Sequence, residues 1–342
     1  MAIAVALAGT GRRGTQWARE IHAHPGYELV ACADPDAGAL RRAREALDIL
    51  PARRFGRLDE ALDSVRCDAV IVATSEDRHL EPCEAALSRG LGVLVEKPFT
   101  TRLSEAVGLV DLAQQRGAPL LVGQQYRYLR SQRAVRRMVR EGALGRVGMA
   151  VAHYYHGSDH LTARARASMS NSVLWGPVVH HIDALRYVLD RRITGVMAQT
   201  FTMPWGRLPE GASMQAMLTL EGGIHATYSA SYESSGHEFF ERGQEYYQRL
   251  LGELGTLHVL HRWLVLCERG KRPRVLRRGR RRTTEDSLLL DQLQRALRHG
   301  EEPDSSGRAN LETVAAMEAC VRSASEGRWV NPQDLIAEAG AG

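Results

Sequence analysis

AIAVALAGTGRRG, Ala2 to Gly14, decides the fold of this chain. Ala2 to Ala8 is a short apolar run bounded by glycine and reads as a buried strand. Gly9, Gly11 and Gly14 follow with the spacing G-x-G-x-x-G, and Arg13 to Ala23 has the polarity of a helix. In a strand–turn–helix setting each glycine has its own task. Gly9 permits the tight turn, Gly11 lets a pyrophosphate approach the backbone, and Gly14 lets helix and strand pack closely. The helix start turns free N–H groups and the positive end of its dipole toward phosphates. About twenty residues further on, the strand-like Glu28 to Ala33 ends at Asp34, whose carboxylate suits both ribose hydroxyls. The expected cofactor-binding residues here are Gly9, Thr10, Gly11, Arg12, Arg13 and Asp34. The carboxylate disfavours a 2′-phosphate and so favours NAD, while Arg12 and Arg13 in the same loop keep NADP possible.

Outward from this stretch the alternation continues. Helix-like Asp36 to Leu47, His79 to Arg89 and Ser104 to Arg116 separate strand-like Asp68 to Ala73, Gly92 to Val95 and Pro119 to Val122. Apolar runs of four to seven residues between helices imply βαβ units and a parallel sheet. Residues 1–122 are therefore expected to form an α/β Rossmann dinucleotide-binding domain. Residues 123–342 change texture. A helix over Ser131 to Glu141 is followed by β-rich runs over Arg146 to Tyr155, Gly195 to Thr202, Met214 to Leu220, Ile224 to Tyr232 and Thr256 to Cys267, with a hairpin signal at Glu221-Gly222-Gly223. This second part reads as an α+β domain with an open, mostly antiparallel sheet. Its closing helices, Ser287 to Arg298 and Asn310 to Glu326, are expected to pack back on the first domain.

A length of 342 residues exceeds what one hydrophobic core usually serves. The net charge of +5 is mild and comes almost wholly from arginine. One basic run, Gly270 to Ser287, lacks interleaved aromatics and a nucleic-acid motif, so it reads as a solvated hairpin guarding a sheet edge. No nucleic-acid or membrane partner is expected. Five scattered cysteines without a CxxC pair suit reduced thiols. The N-terminal apolar run precedes its basic residues and has no cleavage site, unlike a secretion signal. These features point to the cytoplasm.

Val95-Glu96-Lys97-Pro98 closes a Rossmann strand. Ligands of open parallel sheets bind beyond the carboxyl ends of the strands, which directs Lys97 to the cofactor crevice. A lysine there polarises a substrate oxygen, or acts as a base where neighbours lower its pKa; elsewhere a strand-end lysine is a solvated charge. WGPVVHHID, Trp175 to Asp183, reads as a helix starting at Gly176-Pro177, where a proline without N–H is tolerated. Adjacent His180 and His181 diverge by about 100° around a helix and do not chelate one ion, so no metal is expected. His181 reads as a packed core residue. Tyr154 and His156 share one face of a strand, either meeting substrate or forming a half-buried aromatic row. Arg164 and Arg166 either recognise an anionic substrate or are solvated loop charges. The candidate substrate contacts are Arg127, Tyr154, Asp159, Arg164, Arg166 and Asp183.

Taken together these motifs resemble the Gfo/Idh/MocA oxidoreductases, the glucose-fructose oxidoreductase and inositol dehydrogenase family. The resemblance covers essentially the whole chain. It is carried by GTGRRG with Asp34, ATSEDRH (Ala73 to His79), VEKPFT (Val95 to Thr100), VGQQYRY (Val122 to Tyr128), HHID (His180 to Asp183) and GRWVNP (Gly327 to Pro332). It implies a Rossmann domain joined to an open sheet with the active site between them. The implied activity is NAD(P)-dependent hydride exchange with a sugar, cyclitol or related small polar substrate. By the same resemblance Lys97 and His180 are catalytic, and Thr74, His79, Glu96, Lys97 and Gln125 line the nicotinamide end of the cofactor. Copies are expected to pair through the outer face of the second sheet, as a homodimer or homotetramer.

The chain departs from that family at one place. An aspartate usually stands four residues before the histidine, on the same helix face, where it orients the imidazole and raises its pKa. Here that position is Gly176, and the usual glycine-rich lead-in is Ser170-Asn171-Ser172. The loss leaves His180 nearer an ordinary histidine. It shifts acid–base work to Lys97, to Asp159 or His160, or to chemistry such as C=N or C=C reduction. Two other readings share the fold: transient oxidation ending in elimination or glycoside cleavage, and a cofactor-binding regulatory protein that has lost catalysis.

Overall fold

The structure, a computed structural model, describes residues 1–47, 53–157, 171–234, 244–260, 263–276 and 283–341. The chain divides into two compact units, Met1–Gln125 with Arg281–Val314, and Tyr126–Arg280 with Ala315–Gly342. A boundary after residue 122 falls inside the last strand of the first unit, and that unit also takes back a C-terminal segment.

The first unit holds six parallel strands: β1 (Ile3–Ala8), β2 (Tyr27–Ala33), β3 (Arg54–Phe55), β4 (Ala69–Val72), β5 (Gly92–Glu96) and β6 (Leu120–Gly123). They lie in the order β3-β2-β1-β4-β5-β6. Every residue of β4, β5 and β6 is buried. That is the expected fate of continuous apolar runs in a sheet covered on both faces. Helices α1 (Arg12–Ala23), α2 (Ala37–Leu47), α3 (Leu58–Ser64), α4 (Leu80–Ser88) and α5 (Leu103–Arg116) make the connections. α1 buries Gly14, Trp17, Ala18 and Ile21, the i, i+3, i+4, i+7 stripe of a helix packed on one face. A returning helix, Glu285–His299, starts at Thr284, whose hydroxyl accepts the Ser287 N–H at 3.0 Å. The winding direction of the sheet changes between β1 and β4, so the loops that follow them open a crevice at the carboxyl edge.

The second unit begins with α6 (Arg130–Arg140) and β7 (Val147–His156). It continues through α7 (Val179–Leu189), β8 (Ile193–Phe201), β9 (Ser213–Leu220), β10 (Ile224–Ser231), β11 (Gln244–Gly252), β12 (Gly255–Leu260), β13 (Trp263–Glu268) and β14 (Arg274–Leu276). The eight strands run β14-β13-β12-β11-β7-β10-β9-β8. Every pairing is antiparallel except β7 with β10. The β-rich run from Thr256 to Cys267 spans two antiparallel strands, β12 and β13. β14 forms the edge, and Glu268 beside it accepts from Lys271 at 2.8 Å and Arg274 at 2.9 Å. The basic run thus begins as a charged sheet edge; its residues 277–282 lie outside the described residues. One face of the sheet buries Tyr154, Leu218, Tyr228 and Leu250. Cross-strand register puts Met149, Met217, Trp263 and Val275 on the other, each about half exposed.

Candidate active site

β1 runs into Gly9, whose φ is +88°. A Cβ on Gly9 would lie 2.6 Å from the Ala73 carbonyl oxygen, and one on Gly14 would lie 1.9 Å from that of Gly9. Both positions therefore exclude a side chain on the protein's own account. A Cβ on Gly11 meets nothing within 4 Å. This middle glycine faces open space at the start of α1, where unbonded N–H groups are available to an anion. Beside it Asp34 is fixed by three hydrogen bonds. Its Oδ2 accepts the Thr10 N–H at 2.7 Å and the Thr10 hydroxyl at 3.0 Å, and its Oδ1 accepts the Asp36 N–H at 2.9 Å. Asp36 in turn caps α2 through Gly38 at 2.7 Å, and that hydrogen bond holds its carboxyl below the usual range. A cradle of bare backbone with an oriented carboxylate at its side fits a dinucleotide.

At the end of β5, buried Glu96 gathers four donors. Its Oε1 accepts Arg13 Nε at 2.5 Å, Trp17 Nε1 at 2.8 Å and Gln125 Nε2 at 3.0 Å, and its Oε2 accepts the Lys97 N–H at 3.2 Å. Arg13 also forks onto Asp286 of the returning helix at 2.7 and 2.6 Å and lies 4.7 Å over the Trp17 ring. Burial opposes the charge on Arg13, but the Asp286 hydrogen bond and the two carboxylate charges together hold its pKa above the ordinary value. Its guanidinium is turned inward to these carboxylates rather than offered to a phosphate, which corrects the expectation that it works beside Arg12; Arg12 is exposed. His79 is buried, and its Nδ1–H donates to the Pro98 carbonyl at 2.8 Å. Burial depresses its pKa and keeps the ring neutral. His79 thus supports the Lys97-Pro98 corner from behind. Thr74 donates to the Arg78 carbonyl at 2.9 Å. Lys97 itself is half-buried.

In the second unit the helix carrying His180 starts earlier than Gly176. It is already helical at Ser172 and widens into a π-turn over Leu174–Val178, where the Val179 N–H reaches back to the Leu174 carbonyl. Pro177 lies inside this turn instead of at the helix start; the wider turn accommodates a residue that has no N–H to donate. The i, i+4 relation expected between positions 176 and 180 is therefore loosened. The His180 ring stacks on Tyr126 at 4.3 Å between centroids and 13° between planes.

Arg127 and Asp183 form a buried fork, Nε to Oδ2 and Nη2 to Oδ1, both at 2.6 Å, with side chains 5% and 0% exposed. Both were expected as substrate contacts. The structure instead binds them to each other, since charges buried this deeply require a partner. Tyr154, another such candidate, is buried too. It joins Tyr126, Tyr228 and Tyr246 around His181, whose Nδ1 lies 2.5 Å from the Tyr228 hydroxyl and whose ring stacks on Tyr246 at 4.2 Å. Burial pushes the Tyr228 and Tyr246 phenols up, so both remain protonated. Asp159, His160, Arg164, Arg166 and Ser170 lie outside the described residues. Tyr126, Trp17 and Asp286 were not singled out from sequence. Their only signals are the first of two tyrosines in VGQQYRY, an aromatic on the helix face, and an acidic helix start.

Comparison with known proteins agrees with this geometry. Residues 3–124 match the GFO/IDH/MocA model, described as an oxidoreductase family with an NAD-binding Rossmann fold, and residues 132–258 match the GFO/IDH/MocA C-terminal domain. D-apiose dehydrogenase of Paraburkholderia graminis is 28% identical over 337 residues, 92% of this chain and 86% of the relative. Inositol 2-dehydrogenase 2 of Saccharopolyspora erythraea is 26% identical over 335 residues, covering 96% and 94%. A crystal structure of an oxidoreductase from Agrobacterium radiobacter in complex with NAD+, L-tartaric acid and magnesium superposes with a TM-score of 0.88. It is 21% identical and covers 98% of this chain and all of that one.

Proposed function

The chain belongs to the Gfo/Idh/MocA family of oxidoreductases with an NAD-binding Rossmann fold, and we propose that it exchanges hydride with a carbinol carbon of a sugar or cyclitol. The observation that carries this reading is the hydrogen bond from Arg13 to Glu96. It ties the glycine loop to the strand end that presents Lys97, so cofactor cradle and reacting residue form one rigid piece. The substrate class is supported by relatives named for D-apiose and inositol.

Gly9, Thr10, Gly11 and Arg12 would hold the phosphates, Asp34 the ribose hydroxyls, and Thr74 and Gln125 the nicotinamide end. Bound NAD supplies the hydride acceptor, or as NADH the donor. In oxidation, Lys97 polarises the substrate oxygen and His180 takes the hydroxyl proton as the carbinol hydrogen leaves with its electron pair, giving a carbonyl. In reduction the proton returns from His180 to that oxygen. A panel of aldoses, cyclitols and keto-sugars with NAD+ or NADH tests this by the near-ultraviolet absorbance of reduced nicotinamide. Turnover of a polyhydroxylated alcohol or its ketone is expected; a protein that binds NAD and turns over none of them would overturn the proposal.

Asp34→Ala removes two charge-assisted hydrogen bonds to ribose. It is expected to weaken NAD+ binding by about ten- to a hundredfold and to narrow the preference over NADP+. Calorimetric titration checks this, and unchanged NAD+ affinity would show that Asp34 does not reach the ribose.

We also propose self-association through the outer sheet face, supported by the shared exposure of Met149, Met217, Trp263 and Val275. Equilibrium sedimentation decides it, and a monomer at micromolar concentration would contradict it. Among the described residues no helix is long and apolar enough to cross a membrane. All five cysteines are free thiols, which supports placement in the cytoplasm.

A further inference from the structure

We propose that Tyr126 is the positioning residue of His180, setting the plane of the imidazole by stacking where the family ordinarily uses a carboxylate. The inference rests on the reading of His180 as the acid–base group.

Position 176 is a glycine and carries no side chain to orient anything. The π-turn over Leu174–Val178 also moves that position away from the place an α-helix would give it. What does lie against His180 is the Tyr126 ring, nearly parallel at 13° and 4.3 Å away. A flat contact of this kind restricts rotation about the Cβ–Cγ bond, the torsion that aims the two ring nitrogens.

The stack works as a positioning device only if Tyr126 is itself held. Its neighbour Arg127 supplies that hold, through the fork to Asp183 at 2.6 Å on each arm. Asp183 is three residues beyond His180 on α7, so both project from the same side of the helix. Adjacent residues of one segment therefore grip α7 at two points a turn apart. The Tyr126 ring also meets His181 at 5.4 Å, and His181 is locked among Tyr154, Tyr228 and Tyr246. Roll and slide of α7 are thereby fixed along with the imidazole plane.

The test compares Tyr126→Phe, which keeps the ring, with Tyr126→Leu, which removes it. In NMR spectra the His180 ring protons are expected upfield in the wild type and in the Phe variant, shielded by the stacked ring, and downfield in the Leu variant. With NAD+ and myo-inositol or D-apiose as probes, the Leu variant is expected to lose about ten- to a hundredfold in kcat with KM unchanged, the scale of effect that misplacing a reacting group produces. The Phe variant should match the wild type. Unshielded His180 protons in the wild type would overturn the inference even if the Leu variant did not fold. So would a Phe variant as slow as the Leu variant, or Leu-variant protons still shielded. His180→Gln separates the two layers: wild-type turnover in that variant removes the acid–base reading itself. A slow Gln variant beside a fast Leu variant removes only the role of Tyr126.

Discussion

Lys97→Met is expected to lower kcat by about 10²- to 10⁴-fold while leaving NAD+ affinity nearly unchanged. Methionine keeps the length and most of the apolar stem of lysine and deletes the ammonium, so what is lost is the charge proposed to polarise the substrate oxygen. That loss corresponds to about 3–5 kcal/mol at the transition state. The backbone around Lys97 is held by its neighbours. Glu96 holds the Lys97 N–H, Arg13, Trp17 and Gln125, and His79 holds the Pro98 carbonyl. The variant should therefore fold and bind cofactor normally. Lys97→Arg is not expected to restore the rate, because a planar fork does not replace a compact point charge. Lys97 is one of only two lysines in the chain, Lys271 being the other. Reductive methylation with isotopic label thus gives signals from Lys97, Lys271 and the N-terminal amine alone; the one lost in the Met variant belongs to Lys97, and addition of NAD+ should shift it. Wild-type kcat in the Met variant would show that another group carries the polarisation.

Asp183→Ala is expected to cost about 3–5 kcal/mol of folding stability, the penalty for stranding a buried arginine. Domains of ordinary stability have about 5–15 kcal/mol in total, so the loss is large. The denaturant midpoint should fall at unchanged slope. The double variant Arg127→Met, Asp183→Leu leaves no buried charge and should recover much of the loss. The double-mutant cycle then isolates the coupling of the pair. A single-variant cost near that of a surface ion pair, about 0–1 kcal/mol, would mean that the fork is solvated in solution.

The contrast between these two residues shows what is legible in the sequence. Lys97 follows a strand that is apolar throughout, in a βαβ series with a glycine loop, and each part of that pattern is local. Gly9 needs a positive φ and Gly14 needs room for a carbonyl, so their spacing is written in consecutive residues. The Arg127–Asp183 fork joins residues 56 apart, and no periodicity marks such a pair. The four tyrosines around His181 come from a connector and three different strands, and only the folded sheet brings them together. β11 escapes notice because its Tyr-Tyr-Gln-Arg run mixes polar and aromatic residues on both faces. The π-turn is likewise silent: Gly176-Pro177 is equally good as a helix start, and it is the helical geometry from Ser172 onward that rules this out.

Net hydride exchange between NAD and a polyol is measured most directly by its stoichiometry. Purified protein, NAD+ in excess and a sugar or cyclitol from the panel would be followed for both substrate consumed and reduced nicotinamide released. One NADH per substrate converted to the carbonyl product is expected. Substrate consumed with no accumulation of NADH would contradict net oxidation and point instead to a cofactor that is reduced and reoxidised within each turnover.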